Sequence, residues 1–353
     1  MAFSIRKLLG QAYMKWFPIP LPPDDSFQDQ TIVVTGGTSG LGLAAAVHFV
    51  NLGAAEVIIT SRDSARSKTA LAAIERETGG RGKGRVQVMD LDMSRYASVV
   101  VFVEELKKVR QGKGGVDHVV LNAGLSSLNF KLGEEGWDQN IQVNTLSTVL
   151  LAILLLPWMK AERANRSAPA HLAVVGSGRH VEPDIQEWKK WASESSLLEH
   201  FSKPENWPGP RMMYATTKLM AQYAANELTR MALGPDGCPE VIVNTMCPGI
   251  VASGLSRDLK SKGIVVVIMV TIFLGLFAKS PSNGARTYLA ACLTKESEHG
   301  KFIRFYGSDA DYQEQADAVL DGEDGRNMQA WVWSEMKAEF TAKVPETREI
   351  LKS

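Results

Sequence analysis

The chain has 353 residues, 45% of them hydrophobic and 22% charged, with a formal net charge of zero. That length holds one large α/β domain or two small ones, and a balanced charge supplies no long-range field to gather nucleic acid. Three cysteines, Cys238, Cys247 and Cys292, are too few and too scattered for a disulfide framework or a zinc centre, so no metal is expected and reducing, cytoplasmic surroundings fit.

Residues 1–17 mix Phe3, Leu8, Leu9, Tyr13, Met14, Trp16 and Phe17 with Arg6, Lys7 and Lys15. The apolar core of a secretory signal is missing, and the pattern reads as a short amphipathic helix. Pro18, Pro20, Pro22 and Pro23 stop it. Such a helix either packs on the body of the protein or rests on a membrane surface. After this linker, which ends near residue 30, a β-branched run over 31–35 enters Thr35-Gly36-Gly37-Thr38-Ser39-Gly40-Leu41-Gly42, and an alanine-rich helix over 41–52 follows. Strand, glycine turn and helix in this order let the backbone approach a pyrophosphate at the positive end of the helix. Thr35, Gly36, Thr38, Ser39, Gly40, Leu41 and Gly42 are therefore candidate contacts to a dinucleotide.

A second strand over 56–60 ends in Ser61-Arg62-Asp63. A carboxylate at its end would suit the ribose of NAD. Ser61 followed by Arg62 removes that repulsion and favours the 2′-phosphate of NADP(H). Asp63 then reads as the cap of a helix over 65–78. A basic, glycine-rich turn over 79–84 leads to a third strand, 85–89, closed by Asp90-Leu91-Asp92-Met93. Another helix, 98–110, precedes a fourth strand, 116–121, which runs into Asn122-Ala123-Gly124. Alternation at this spacing implies a parallel sheet with helices on both faces.

The helix over 137–160 carries Asn144 in its interior, where the amide competes for backbone groups. Asn144 either faces solvent or has a task. A fifth strand, 170–176, ends at Ser177. The excursion over 178–210 holds Trp188, Trp191 and Trp207 and reads as a binding loop or lid, with a loosely packed surface insertion as the alternative. The next helix, 214–231, opens with Tyr214-Ala-Thr-Thr-Lys218, which sets phenol and ammonium one turn apart on one face. An ammonium there would favour the phenolate and bring its pKa toward neutrality.

A sixth strand over 240–246 ends in Cys247-Pro248-Gly249. Residues 264–278 form the most apolar window and carry no charge. A helix of that length reaches about 22 Å, short of the roughly 30 Å hydrocarbon core. It is expected to be a buried helix, or one dipping into a bilayer surface, beside the ligand pocket. Pro281 starts a further helix, 302–306 is the last strand, and 309–353 is a helical extension with Trp331, Trp333, Met336 and Phe340.

In this order the motifs resemble those of the short-chain dehydrogenase/reductase family over most of 31–306. T-G-x-x-x-G-x-G is met by Thr35, Gly36, Gly40 and Gly42, N-A-G by Asn122, Ala123 and Gly124, and P-G-x-V-x-T by Pro248, Gly249, Val251 and Ser253, with serine for threonine. The family's tetrad falls on Asn144, Ser177, Tyr214 and Lys218, and its adenine-side aspartate on Asp92. Ser61-Arg62, His180 and the apolar 263–278 segment are most similar to retinol-dehydrogenase-like and fungal secondary-metabolite reductases. One departure is the long gap from Ser177 to Tyr214.

The resemblance implies an α/β fold, a single Rossmann-type doubly wound parallel sheet of about seven strands over 31–308, with NADP(H) as cofactor. It implies interconversion of a ketone or aldehyde with an alcohol on a lipophilic substrate, a polyketide or terpenoid first, a retinoid or steroid second. Tyr214 would move the proton, Ser177 would hold the carbonyl oxygen, Lys218 would tune the phenol and bind the nicotinamide ribose, and Asn144 would hold a water. Cofactor contacts would add Met93, Pro248, Gly249, Val251 and Ser253, while His180 would be structural. A non-catalytic NADP-binding sensor or scaffold is the competing reading. Expected partners are a small lipophilic substrate, no nucleic acid, a membrane surface touched peripherally through 1–17 or 263–278, and a second copy in a homodimer.

Overall fold

The computed structural model describes residues 5–252 and 274–352. Ser253 and residues 263–273 of the apolar segment lie outside the described residues. The strands are short runs rich in Val and Ile: β1 Thr31–Val34, β2 Glu56–Ser61, β3 Val86–Asp90, β4 His118–Leu121, β5 Ala170–Val175, β6 Val241–Met246 and β7 Phe302–Ile303. They pair in parallel in the order β3-β2-β1-β4-β5-β6-β7, with Val33 of β1 opposite Ile58 on one side and Val119 on the other. Near-continuous burial of the central strands reflects helices on both faces. The order reverses between β1 and β4, and the crevice at that switch point is where α/β sheets bind ligands.

The helices are α1 Ile5–Trp16, α2 Gly40–Asn51, α3 Ser64–Glu77, α4 Tyr96–Arg110, α5 Gln139–Ala161, α6 Ile185–Glu194, α7 Leu197–Phe201, α8 Pro210–Met231, α9 Pro281–Cys292, α10 Asp309–Ala316, α11 Glu323–Lys343 and α12 Thr347–Ile350. Phe49 of α2, Ile74 of α3 and Tyr288 of α9 pack on one face of the sheet. Phe102 of α4, Leu155 of α5 and Tyr223 of α8 pack on the other. α5 is long and apolar enough to cross a membrane by length and composition, but 89% of its apolar window is buried within the protein, as a core helix requires.

The excursion over 178–210, expected as a binding loop or lid or else as a loosely packed insertion, is folded and packed. It folds into a short turn, α6 and α7, and α11 of the C-terminal extension closes over them. The Glu335 carboxylate accepts from the Leu197 and Leu198 amides at 2.9 and 3.0 Å and from the Ser196 hydroxyl at 2.8 Å. Trp188, Phe201, Met336 and Phe340 are buried together. Apolar residues in the insertion and in the tail thus cover each other.

At the other terminus, α1 packs on the body: Met14 is buried against Cys247 and Tyr306, and Gln11 Oε1 accepts from the Ile250 amide at 3.0 Å. Its opposite side leaves Leu9, Tyr13 and Trp16, with Phe17 just after it, more than 60% exposed. β7 is shorter than the expected 302–306, because the chain turns at Arg304, whose guanidinium donates to the Tyr306 and Ser308 carbonyls.

Candidate active site

Two cavities open over the carboxyl ends of the strands. The first, about 370 Å³, is lined by Gly36, Thr38, Ser39, Gly40 and Leu41 from the glycine turn, Ser61 and Arg62 after β2, Asp92 and Met93 after β3, and Asn122, Ala123 and Gly124 after β4. Two positions need glycine. Gly36 has φ +65° with its Cα facing Ala123, and a Cβ on Gly42 would meet Asn122 Nδ2 and the Gly36 carbonyl at 2.6 Å. Gly42 therefore lies behind the cradle, seating α2 against it, and is absent from the lining. Thr35 is also a brace: fully buried, its Oγ1 accepts from the Asn122 and Ala123 amides, each at 2.9 Å. A glycine cradle at a helix N-terminus, with polar groups along the strand ends, fits a dinucleotide.

Beyond Ser61, Arg62 lies 3.7 Å from Asp92. Arg66, one turn into α3, lines the same end of the cleft. Sequence reading passed over Arg66, although its spacing of four from Arg62 was the available signal. Asp63 caps α3, accepting from the Ala65 and Arg66 amides, which holds its carboxyl below the usual range. Partial burial works against the charge on Asp92, but hydrogen bonds from Ser94 and the guanidiniums of Arg62 and Arg95 outweigh it, and its pKa is lowered.

The second cavity, about 460 Å³, shares Leu41, Asn122, Gly124 and Ser126 with the first, so the two are continuous. It contains Ser177, Tyr214 and Lys218, together with Pro248, Gly249 and Val251. Ser177 caps the turn Gly178–Val181, its hydroxyl accepting from the Arg179 amide at 3.3 Å, and lines the same cavity as Tyr214. Lys218 Nζ donates to the Val175 carbonyl at 2.7 Å and lies 5.7 Å from the centre of the Tyr214 ring.

The expected acidic phenol is not found in the protein by itself. Burial pushes Tyr214 up to about 12, with the Cys247 sulfur adding to the rise and the Ser177 hydroxyl and Arg179 only partly opposing it. Burial also brings Lys218 down to about 8. Desolvation is the largest cause at both groups and disfavours the charged form of each.

Asn144 sits in a π-helical turn, Gln142–Ser147, inside α5. Its amide Oδ1 accepts from Leu125 N–H at 2.8 Å, while Nδ2 donates to the Leu125 carbonyl at 2.8 Å and to Thr217 Oγ1 at 3.2 Å. Thr217 in turn donates to the Tyr214 carbonyl at 2.8 Å. The side chain is thus a clamp between the loop after β4 and the helix that carries the tyrosine.

Several supporting residues carried no signal in the sequence. Tyr288, fully buried on α9, donates to Asn122 Oδ1 at 2.8 Å and lines the second cavity. Cys247 Sγ accepts from the Tyr306 hydroxyl at 2.8 Å and from the Gly178 and Gly249 amides at 3.3 and 3.4 Å, tying the Ser177 turn to the Pro-Gly loop. His180 is buried with Nε2 3.0 Å from the Tyr312 hydroxyl, which agrees with a structural role. Among the described residues no cluster of metal-ligating side chains occurs.

Residues 30–177 match the family model described as short chain dehydrogenase. The chain is 33% identical over 290 residues to the short-chain dehydrogenase/reductase phmF of Phaeosphaeria nodorum, covering 82% of this chain and 81% of that protein. It is 30% identical to the short chain dehydrogenase yanD of Aspergillus niger, covering 91% and 94%. Among solved structures, L-sorbose reductase from Gluconobacter frateurii, complexed with NADPH and L-sorbose, superposes with a TM-score of 0.59 at 21% identity, covering 80% of this chain and 98% of that one. At that identity the likeness speaks for the fold.

Proposed function

From membership of the short-chain dehydrogenases, which the relatives establish for this oxidoreductase, we propose that it uses NADP(H) to interconvert a ketone or aldehyde and an alcohol on a lipophilic small molecule. One observation carries the reading: Ser177, Tyr214 and the buried Lys218 line one cavity that is continuous with the nucleotide cleft. The bound nicotinamide would supply or accept the hydride. In the reducing direction Tyr214, protonated across the neutral range, gives its proton to the carbonyl oxygen. Ser177 donates a hydrogen bond to the same oxygen and holds it in line. Lys218, anchored on Val175, favours the phenolate that remains and would hold the ribose hydroxyls of a bound nucleotide. Asn144 keeps the loop after β4 and the Tyr214 helix in register. Oxidation runs these steps backwards and needs the phenolate.

Ser61, Arg62 and Arg66 around the end of β2 support NADP(H) over NAD(H), because guanidiniums pair with a 2′-phosphate. The apolar 263–278 segment and the sequence resemblance support a polyketide- or terpenoid-like ketone, with retinoids and steroids as the comparison set. We further read the exposed Leu9, Tyr13 and Trp16 of α1, with Phe17 just after it, as a lipid-surface contact of a cytoplasmic protein that assembles as a homodimer. Sedimentation with phosphatidylserine-containing vesicles tests the contact, and protein that stays in the supernatant overturns it. For the chemistry, Tyr214→Phe should lose turnover of ketones while keeping its affinity for NADPH, measured by fluorescence titration. Near wild-type turnover in that variant would sink the assignment.

A further inference from the structure

The two cavities differ in their ionisable lining. In the nucleotide cleft Arg62 and Arg66 are accompanied by Asp92 and Asp63. The catalytic cavity is lined by Arg179, Arg211 and Lys218 and, among the described residues, by no carboxylate. In a chain of zero net charge this is a local arrangement rather than a general excess of base.

The two guanidiniums arrive from elements that also carry the catalytic hydroxyls. Arg179 lies in the turn that Ser177 caps, and Arg211 in the first turn of α8, three residues before Tyr214. Both are fixed from behind by Glu182, whose side chain is 15% exposed. Its carboxylate receives Arg179 Nη1 at 3.2 and 3.3 Å and Arg211 Nε at 3.2 Å. A planar guanidinium presents donors on three nitrogens in a fork that matches a carboxylate, and holding it in place lowers the ordering cost when an anion arrives.

We infer that the substrate carries an anionic group, a carboxylate in the first instance, which Arg179 and Arg211 receive beside the carbonyl presented to Ser177 and Tyr214. This rests on the carbonyl–alcohol reading and narrows its substrate from a lipophilic ketone to a lipophilic keto acid. Arg179, Arg211 and Lys218 outnumber the one carboxylate, Glu182, that pairs with the two arginines, so positive charge is left over to raise the local concentration of anions. An apolar body with one acidic end also orients itself, because only one end can meet the arginines.

The rival account makes the Arg179–Glu182–Arg211 bridge a structural tie between the turn and α8. A tie has no reason to distinguish an acid from its ester. A panel of aryl and alkyl keto acids and their methyl esters should therefore be measured on the NADPH-loaded protein, by NADPH oxidation and by calorimetric binding. At least one acid should be preferred over its ester by about tenfold or more, the scale of one charge-assisted hydrogen-bonded pair. The preference should shrink as salt is raised. Arg179→Leu and Arg211→Gln should each lower the acid-to-ester ratio, with NADPH affinity reporting that the fold is intact. Should Arg179→Leu not fold, Arg211→Gln on the exposed first turn carries the same comparison. The inference fails if no acid is favoured over its ester, or if the preference survives both substitutions. Esters reduced as well as acids would overturn it and leave the carbonyl reading standing. Acids bound selectively but never reduced would do the reverse.

Discussion

The nucleotide cleft and the catalytic cavity are neighbours built on different plans. The cleft is assembled from strand ends and the residues directly after them, so each contact comes with a local motif: glycine turn, Ser61-Arg62, Asp92, Asn122-Ala123-Gly124. The catalytic cavity is assembled across the chain. Gly178, next to Ser177, is tied through Cys247 to Tyr306, Asn122 is held by Tyr288, Ile250 by Gln11, and Asn144 bridges Leu125 to Thr217. Carboxylates line the first beside its arginines, whereas Glu182, which pairs Arg179 and Arg211 of the second, is absent from that cavity's described lining. A cleft that binds a common cofactor can be a local design. The cavity that selects a substrate depends on packing.

Substitutions should separate the two regions. The largest effect is expected at Tyr214→Phe, a fall in kcat of roughly 10²- to 10⁴-fold with the dissociation constant of NADPH unchanged. A loss of NADPH binding instead would place the phenol in the nucleotide cleft. Next, Arg62→Gln with Arg66→Gln should lower the NADPH-over-NADH ratio of kcat/KM by about tenfold or more while leaving kcat with saturating NADPH near its starting value. An unchanged ratio would make both arginines plain surface charges.

Gly42→Ala should weaken NADPH binding and lower the melting temperature together, because its Cβ has no room against Asn122 and the Gly36 carbonyl. Overpacking of this kind costs about 1–3 kcal/mol. Wild-type melting behaviour would show that α2 is not seated as described. The smallest effect is one of pH. Burial holds Lys218 near 8 in the folded protein, below the ordinary lysine value that the unfolded chain keeps. Between those two values the unfolded state binds more protons, so this group makes the cofactor-free protein more stable as pH rises through that window. Its cost is fully present below about 8. Chemical denaturation of wild type against Lys218→Met should show the difference in slope, and parallel curves would mean the ammonium is hydrated.

Much of this could be read along the chain. Buried parallel strands are apolar throughout and end in turn residues, so the βαβ alternation and the seven-stranded sheet were legible from spacing. Tyr214 and Lys218 were legible as a pair because four residues along one helix bring their side chains to one face, whereas Ser177 and Asn144 took their roles from the family resemblance. Asn144 stood out as a poor residue for a helix interior, and the helix there is π rather than α. The insertion misled, because its tryptophans signal burial without saying against what.

What the linear sequence determined is whatever a strand, a turn or a helix imposes on its own few residues: the glycine cradle, the one-turn step from phenol to ammonium, the arginine after β2. Tertiary structure decided the rest. Folding the C-terminal α11 onto α6 and α7 gave the insertion's tryptophans their cover, and burial of Tyr214 and Lys218 moves the phenol up rather than down in the protein by itself. Convergence of Arg179 and Arg211 on Glu182 was settled there too, for neither burial nor a contact between distant segments is written in any local pattern.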